Sequence, residues 1–139
     1  MNISNNSRDM IVKEINYVVN QMEQSPTESE KLYYFSGVYT MIQRIFNLEY
    51  DSGLVYAHFI LSETYNAFLN RLQAITRGGE TQIPLTDEHF EKLIMITKEL
   101  AHKIDNKEDI DDTLKKLVLL SYTTTGNGYY LLQKGLLKI

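Results

Sequence analysis

Three histidines, at positions 58, 89 and 102, are where chemistry would first be sought in a chain that has no cysteine. Glu99 and His102 have the Glu-x-x-His spacing that puts a carboxylate and an imidazole on one face of a helix, as in di-iron bundles. Such a centre needs a second pair. Val55 and Thr86 stand three residues before His58 and His89, so the second pair is missing, and Glu99 and His102 are expected to form an ion pair one turn apart on a solvated face. His58 is followed one turn later by Ser62 and then by Tyr65, which suggests an imidazole base and a hydroxyl nucleophile. No third orienting group or oxyanion hole is readable around them. His58 is therefore expected on an apolar helix stripe, and a small helical enzyme built on His58, Ser62 and Tyr65 is the alternative reading.

The remaining motifs carry less. Gly78 and Gly79 lack the further glycine and the Lys-Ser/Thr of a phosphate loop, and the Gly126, Asn127, Gly128 triplet follows no strand signal. Both read as turns. The acids Asp105, Glu108, Asp109, Asp111 and Asp112 contain no central glycine, so they do not make a calcium loop and are expected to answer a helix dipole. No catalytic residue, metal ligand or cofactor is assigned.

These side chains must be held by helices. The 139 residues, 43% hydrophobic and 23% charged, fit one globular domain spanning 1–139. Ile11, Ile15, Val18 and Met22 recur at helical spacing over about 7–23. Ser25, Pro26, Thr27 and Glu28 read as a start signal with Ser25 as cap and Glu28 closing a capping box, ahead of the stripe Leu32, Phe35, Val38, Tyr39, Ile42, Ile45 and Phe46. Asp51 is expected to cap a third helix whose stripe is Leu54, Ala57, His58, Leu61, Tyr65, Phe68 and Leu72. Thr86 should cap a fourth, with Phe90, Leu93, Thr97, Leu100, Ala101 and Ile104 on its inner side, and a fifth follows the acids through Leu114, Leu117, Val118 and Ser121. Poor helix formers from Thr123 to Gly128 predict a break and a short helix over 129–137. The fold class that results is all-α, a compact antiparallel bundle of about five helices with a short sixth at the C-terminus.

Function is read by subtraction. A net charge of −4 with no basic half gives no phosphate-neutralising footprint, so no nucleic-acid partner is expected. No apolar run approaches a membrane span and no export signal precedes the first helix, so a cytoplasmic location and no membrane contact are expected; zero cysteine suits a reducing compartment. What stands out is surplus apolar surface. Tyr56 and Phe59 lie opposite the main stripe of the third helix, flanked by Val55 and Ile60, which reads either as a central helix wrapped by the others, the favoured sense, or as a contact with a second copy or another protein. Tyr33, on the polar side of its helix, and the adjacent pair Tyr129 and Tyr130 join them as candidate partner-binding residues among the ten tyrosines. A non-enzymatic protein–protein interaction module, acting as small subunit, adaptor, inhibitor or homo-oligomer, is the expectation. The run Asn70, Arg71, Leu72, a loop, then Ile83, Pro84, Leu85, Thr86 entering a helix slightly resembles the third-to-fourth helix passage of bacteriocin immunity proteins, which are small antiparallel bundles; it is too short to assign a family.

Overall fold

The computed structural model describes residues 1–76 and 85–136. Six helices occupy them: α1 (Asn5–Gln24), α2 (Glu28–Leu48), α3 (Ser52–Thr76), α4 (Asp87–Asp105), α5 (Asp111–Tyr122) and α6 (Gly126–Gln133). There is no strand among the described residues. The expected turn at Gly78 and Gly79 lies outside them.

Local chemistry sets each boundary. α1 starts two residues earlier than the apolar pattern indicates because Ser4 caps it, its Oγ accepting from the Ser7 amide at 3.1 Å. At the α1–α2 corner the expected roles shift. Thr27, rather than Ser25, caps α2 by accepting from the Glu30 amide at 3.2 Å, while Ser25 ends α1 by donating its hydroxyl to the Gln21 carbonyl at 2.7 Å. Lys31 Nζ then donates to the Met22 and Ser25 carbonyls at 2.9 and 2.8 Å, placing a cation on the negative end of α1. Asp51 caps α3 as expected, accepting from the Leu54 amide at 3.1 Å.

α6 departs from the sequence reading. The glycine triplet does not interrupt the chain but opens the helix: Thr125 Oγ1 caps it by accepting from the Gly128 amide at 3.1 Å, and the break falls at Thr123–Thr125. Gly128 is required there. A Cβ on it would stand 1.8 Å from the Tyr122 carbonyl oxygen, so only a residue without one lets α6 fold back this closely on the end of α5.

The first five helices close into a ring in which α1 lies between α2 and α4, α3 lies between α2 and α5, and α4 meets α5. Inside it the fully buried Phe68 and Phe90 pack edge to face with centroids 5.3 Å apart, joining α3 to α4 across the core. This arrangement overturns the favoured expectation that α3 is a central helix wrapped by the rest. Like the others in the ring, α3 keeps one side in solvent.

The N-terminal segment is strapped across the α2–α3 corner by polar contacts the sequence does not announce. Glu49 accepts from the Ser4 amide at 2.6 Å, the Ser4 hydroxyl at 2.9 Å and the Ser7 hydroxyl at 2.6 Å; these bonds hold its carboxyl below the usual range. Asp51 also accepts from the Asn2 amide at 2.9 Å. Arg8 is buried and donates from Nη1 to the Ile104 carbonyl at 2.7 Å, a charge-assisted bond at the C-terminal end of α4.

Candidate protein-docking surface

α3 buries Leu54, Ala57, Leu61, Thr64 and Phe68, which are separated by three, four, three and four residues and so form one inward stripe. Tyr56 and Phe59 point the other way and are 54% and 61% exposed. On one flank, Tyr56 borders a shallow recess with Asp111, Lys115 and Val118 of α5. On the other, a chain of ring contacts runs into the α2–α3 groove. Phe59 lies 6.0 Å from His58, His58 lies 5.4 Å from Phe46 and 5.9 Å from Tyr39, and Tyr39 lies 5.4 Å from Tyr65. Burial, and then the neighbouring Tyr65, raise the pKa of Tyr39, which keeps its phenol neutral.

The six partner-binding residues expected from sequence fall in three separate places. Tyr56 and Phe59 share the α3 ridge, and Ile60 beside them is half-buried against the core. Tyr33 sits in the first turns of α2, edge-on to Tyr34 at 5.5 Å. On α6 the adjacent tyrosines diverge: Tyr129 is half-buried, with its hydroxyl accepting from Gln133 Nε2 at 3.1 Å, and Tyr130 is exposed beneath Lys134, 5.6 Å from its ring centroid. Val118, on the fifth helix expected from sequence, is 44% exposed. Its position one residue after Leu117 turns it 100° away from the core, toward Tyr56.

The groups considered for catalysis and metal binding are engaged otherwise. Ser62 donates its hydroxyl to the Phe59 carbonyl at 3.1 Å, and His58 Nδ1 lies 3.2 Å from the Tyr39 carbonyl, so imidazole and hydroxyl are each tied to main chain rather than to one another. Glu99 does not pair with His102. It crosses to α5, accepting from Lys116 Nζ at 2.8 Å and the Thr113 hydroxyl at 2.9 Å, and these contacts lower its pKa; His102 instead neighbours Asn106. Among the described residues no three His, Asp or Glu side chains are grouped to hold a metal ion.

A cleft of about 580 Å³ between the α1–α2 corner and α4 is spanned by an ion pair between Lys98 and Glu23 at 2.7 Å. No helix searched among the described residues is long and apolar enough to cross a membrane. Comparisons of the chain with family models, curated proteins and solved structures return no match.

Proposed function

We propose that this protein is a non-enzymatic helical interaction module that docks another protein, or a second copy of itself, on the ridge formed by Tyr56 and Phe59 of α3 with Val118 of α5. The observation that carries this reading is the company each exposed hydrophobic keeps. Tyr17 on α1 has Lys13, Glu14, Asn20 and Gln21 as its neighbours one turn away, and Met95 on α4 has Glu91, Lys92, Lys98 and Glu99. Isolated apolar side chains among polar ones are ordinary surface. Tyr56, in contrast, has Phe59 and Ile60 one turn on, and Phe59 has Val55 and Tyr56 one turn back. They make a contiguous patch of the aromatic composition that dominates docking energetics.

With a formal net charge of −4, an acidic balance makes nucleic acid a poor partner, and the lack of cysteine suits a cytoplasmic setting. Light scattering at micromolar concentration, together with capture from lysate, tests the proposal on the wild-type chain and on the Tyr56→Ser, Phe59→Ser double variant. Self-association or specific capture that the double variant loses supports it. A monomer that retains nothing, or a complex indifferent to both substitutions, refutes it.

A further inference from the structure

The ridge of α3 and α5 carries charge of opposite sign at its two ends. α3 and α5 run in the same direction, because Tyr56 shares a recess with Asp111, Lys115 and Val118 and, a little more than two turns further along α3, Ser121 Oγ lies 2.9 Å from Thr64 Oγ1. Lys115 therefore stands beside the lower end of the ridge, near the level of Tyr56. Glu63 follows Tyr56 after two helical turns, so it projects on the same side of α3 roughly 10 Å further up. Both side chains are exposed. Neither belongs to the ion pairs Lys92–Glu88, Lys98–Glu23 and Lys116–Glu99 found among the described residues.

Between these charges the surface is apolar. Phe59, three residues after Tyr56, and Val118, three before Ser121, fall between them and are 61% and 44% exposed. A face that is basic at one end, apolar in the middle and acidic at the other does not suit a copy of itself laid on it in the same direction, since lysine would meet lysine. Turned end for end about a two-fold axis through the middle, the copy does fit: Lys115 meets Glu63 of the second copy, Glu63 meets Lys115 of the second copy, and Phe59 and Val118 come opposite their own equivalents. Every contact then occurs twice, as in an isologous dimer. Exposed ion pairs contribute little affinity. Their effect is on direction and choice of partner, while the aromatic middle supplies the binding energy.

We propose that the occupant of the ridge is a second copy of this chain, packed antiparallel about a two-fold axis, with Lys115–Glu63 pairs at both ends and Phe59 and Val118 at the centre. Such a dimer presupposes that the ridge docks protein at all, and goes further in fixing what docks there and in which direction.

Sedimentation velocity over a micromolar concentration series, at physiological ionic strength, compares the wild-type chain with Lys115→Glu, Glu63→Lys, the chain carrying both reversals, and an equimolar mixture of the two single variants. The wild-type chain should dimerise. Either single reversal puts like charges together at both ends and should weaken dimerisation by about tenfold. The doubly reversed chain keeps the wild-type net charge and merely inverts each pair, so its affinity should return. In the mixture, one variant has only acids at these positions and the other only bases, so mixed dimers should outnumber those of either variant alone. Thermal melts check that these exposed substitutions leave the fold intact. A wild-type chain that stays monomeric overturns the dimer; capture from lysate that Tyr56→Ser, Phe59→Ser abolishes would then leave the ridge a docking surface for a different protein. A dimer that neither reversal weakens, that the double reversal does not restore, or that shows no preference for mixing overturns the proposal as well. Should that dimer also ignore Tyr56→Ser, Phe59→Ser, the ridge itself is not the interface.

Discussion

Replacing Gly128 by alanine reverses a familiar rule. Within a helix that substitution ordinarily stabilises by about 1 kcal/mol, because glycine gives up the most backbone freedom on folding. In α6 the new methyl would lie 1.8 Å from the Tyr122 carbonyl oxygen and 2.5 Å from its carbonyl carbon. The obstacle is backbone, so no side-chain rotation relieves it, and separations so far inside contact distance force the start of α6 away from the end of α5. Overpacking of this kind costs about 1–3 kcal/mol, which outweighs the propensity gain. The damage should stay local, because α6 packs chiefly on α5 and weakly held terminal elements open without global unfolding. Hydrogen exchange resolved along the chain is the assay. Amides of 128–134 should lose protection in Gly128→Ala while those of the Leu54–Phe68 stripe keep theirs, and the global melt should move little. Gly37→Ala is the control, since its nearest neighbour is a side-chain methyl, Val18 Cγ2 at 3.3 Å, rather than backbone. Equal or greater protection of α6 in Gly128→Ala would refute the argument that close backbone approach fixes this turn.

Two further outcomes follow from burial and charge. Phe68→Ala, at a fully buried ring stacked on Phe90, should cost about 3–5 kcal/mol in denaturant titration, whereas Phe59→Ala, at a ring 61% exposed, should cost under about 1 kcal/mol; comparable losses would contradict the assignment of inner and outer faces. Glu49, Asp51, Glu99 and His89 all have folded-state pKa values lowered from the ordinary 4.5, 3.8, 4.5 and 6.5. Each therefore contributes stability that is present above its ordinary pKa and lost as pH falls through the folded value. Glu28, raised by burial and then by Asp87, acts in the opposite sense. Melting temperature should accordingly decline below about pH 6.5 through His89 and more steeply near the carboxylate range, and Glu49→Gln should flatten the lower part of that decline.

The helices were legible because their inward residues recur at helical spacing: Ile11, Ile15, Val18 and Met22, or Leu32, Phe35, Val38, Ile42 and Ile45, are buried as the pattern requires. Caps were less legible. Ser25 and Thr27 both satisfy the chemistry of an N-cap, and which one acts depends on where α1 must end, a matter settled by Lys31 reaching back to the α1 carbonyls. The strap of Ser4 and Ser7 on Glu49 and the seat of Arg8 on Ile104 join residues 42 to 96 positions apart, beyond anything local spacing reports. His89 illustrates the same limit. Its place three residues after Thr86 is visible, but the burial of its ring, only 7% exposed, is not. At the ridge, Tyr56 and Phe59 could be named from α3 alone, and Val118 could not, because its exposure depends on how α5 is rotated against α3.

The ring topology turns an ambiguity of sequence into an argument about surface. A helix apolar on two sides has either a second intramolecular neighbour or a face left over, and α3 already has its neighbours in α2, in α5 and, through Phe68, in α4. Tyr56 and Phe59 contribute little to holding these helices together, since most of each ring remains in water. The surrounding rings nevertheless restrict Phe59: His58 abuts it, and His58 is itself held between Phe46 and Tyr39, with a ring nitrogen 3.2 Å from the Tyr39 carbonyl. Ordering an interfacial side chain costs about 0.5–1.5 kcal/mol when a flexible surface docks. If the ridge docks a partner as proposed, an aromatic already braced by its neighbours has part of that cost removed before the partner arrives, and docking there costs less than on an equal area of mobile side chains.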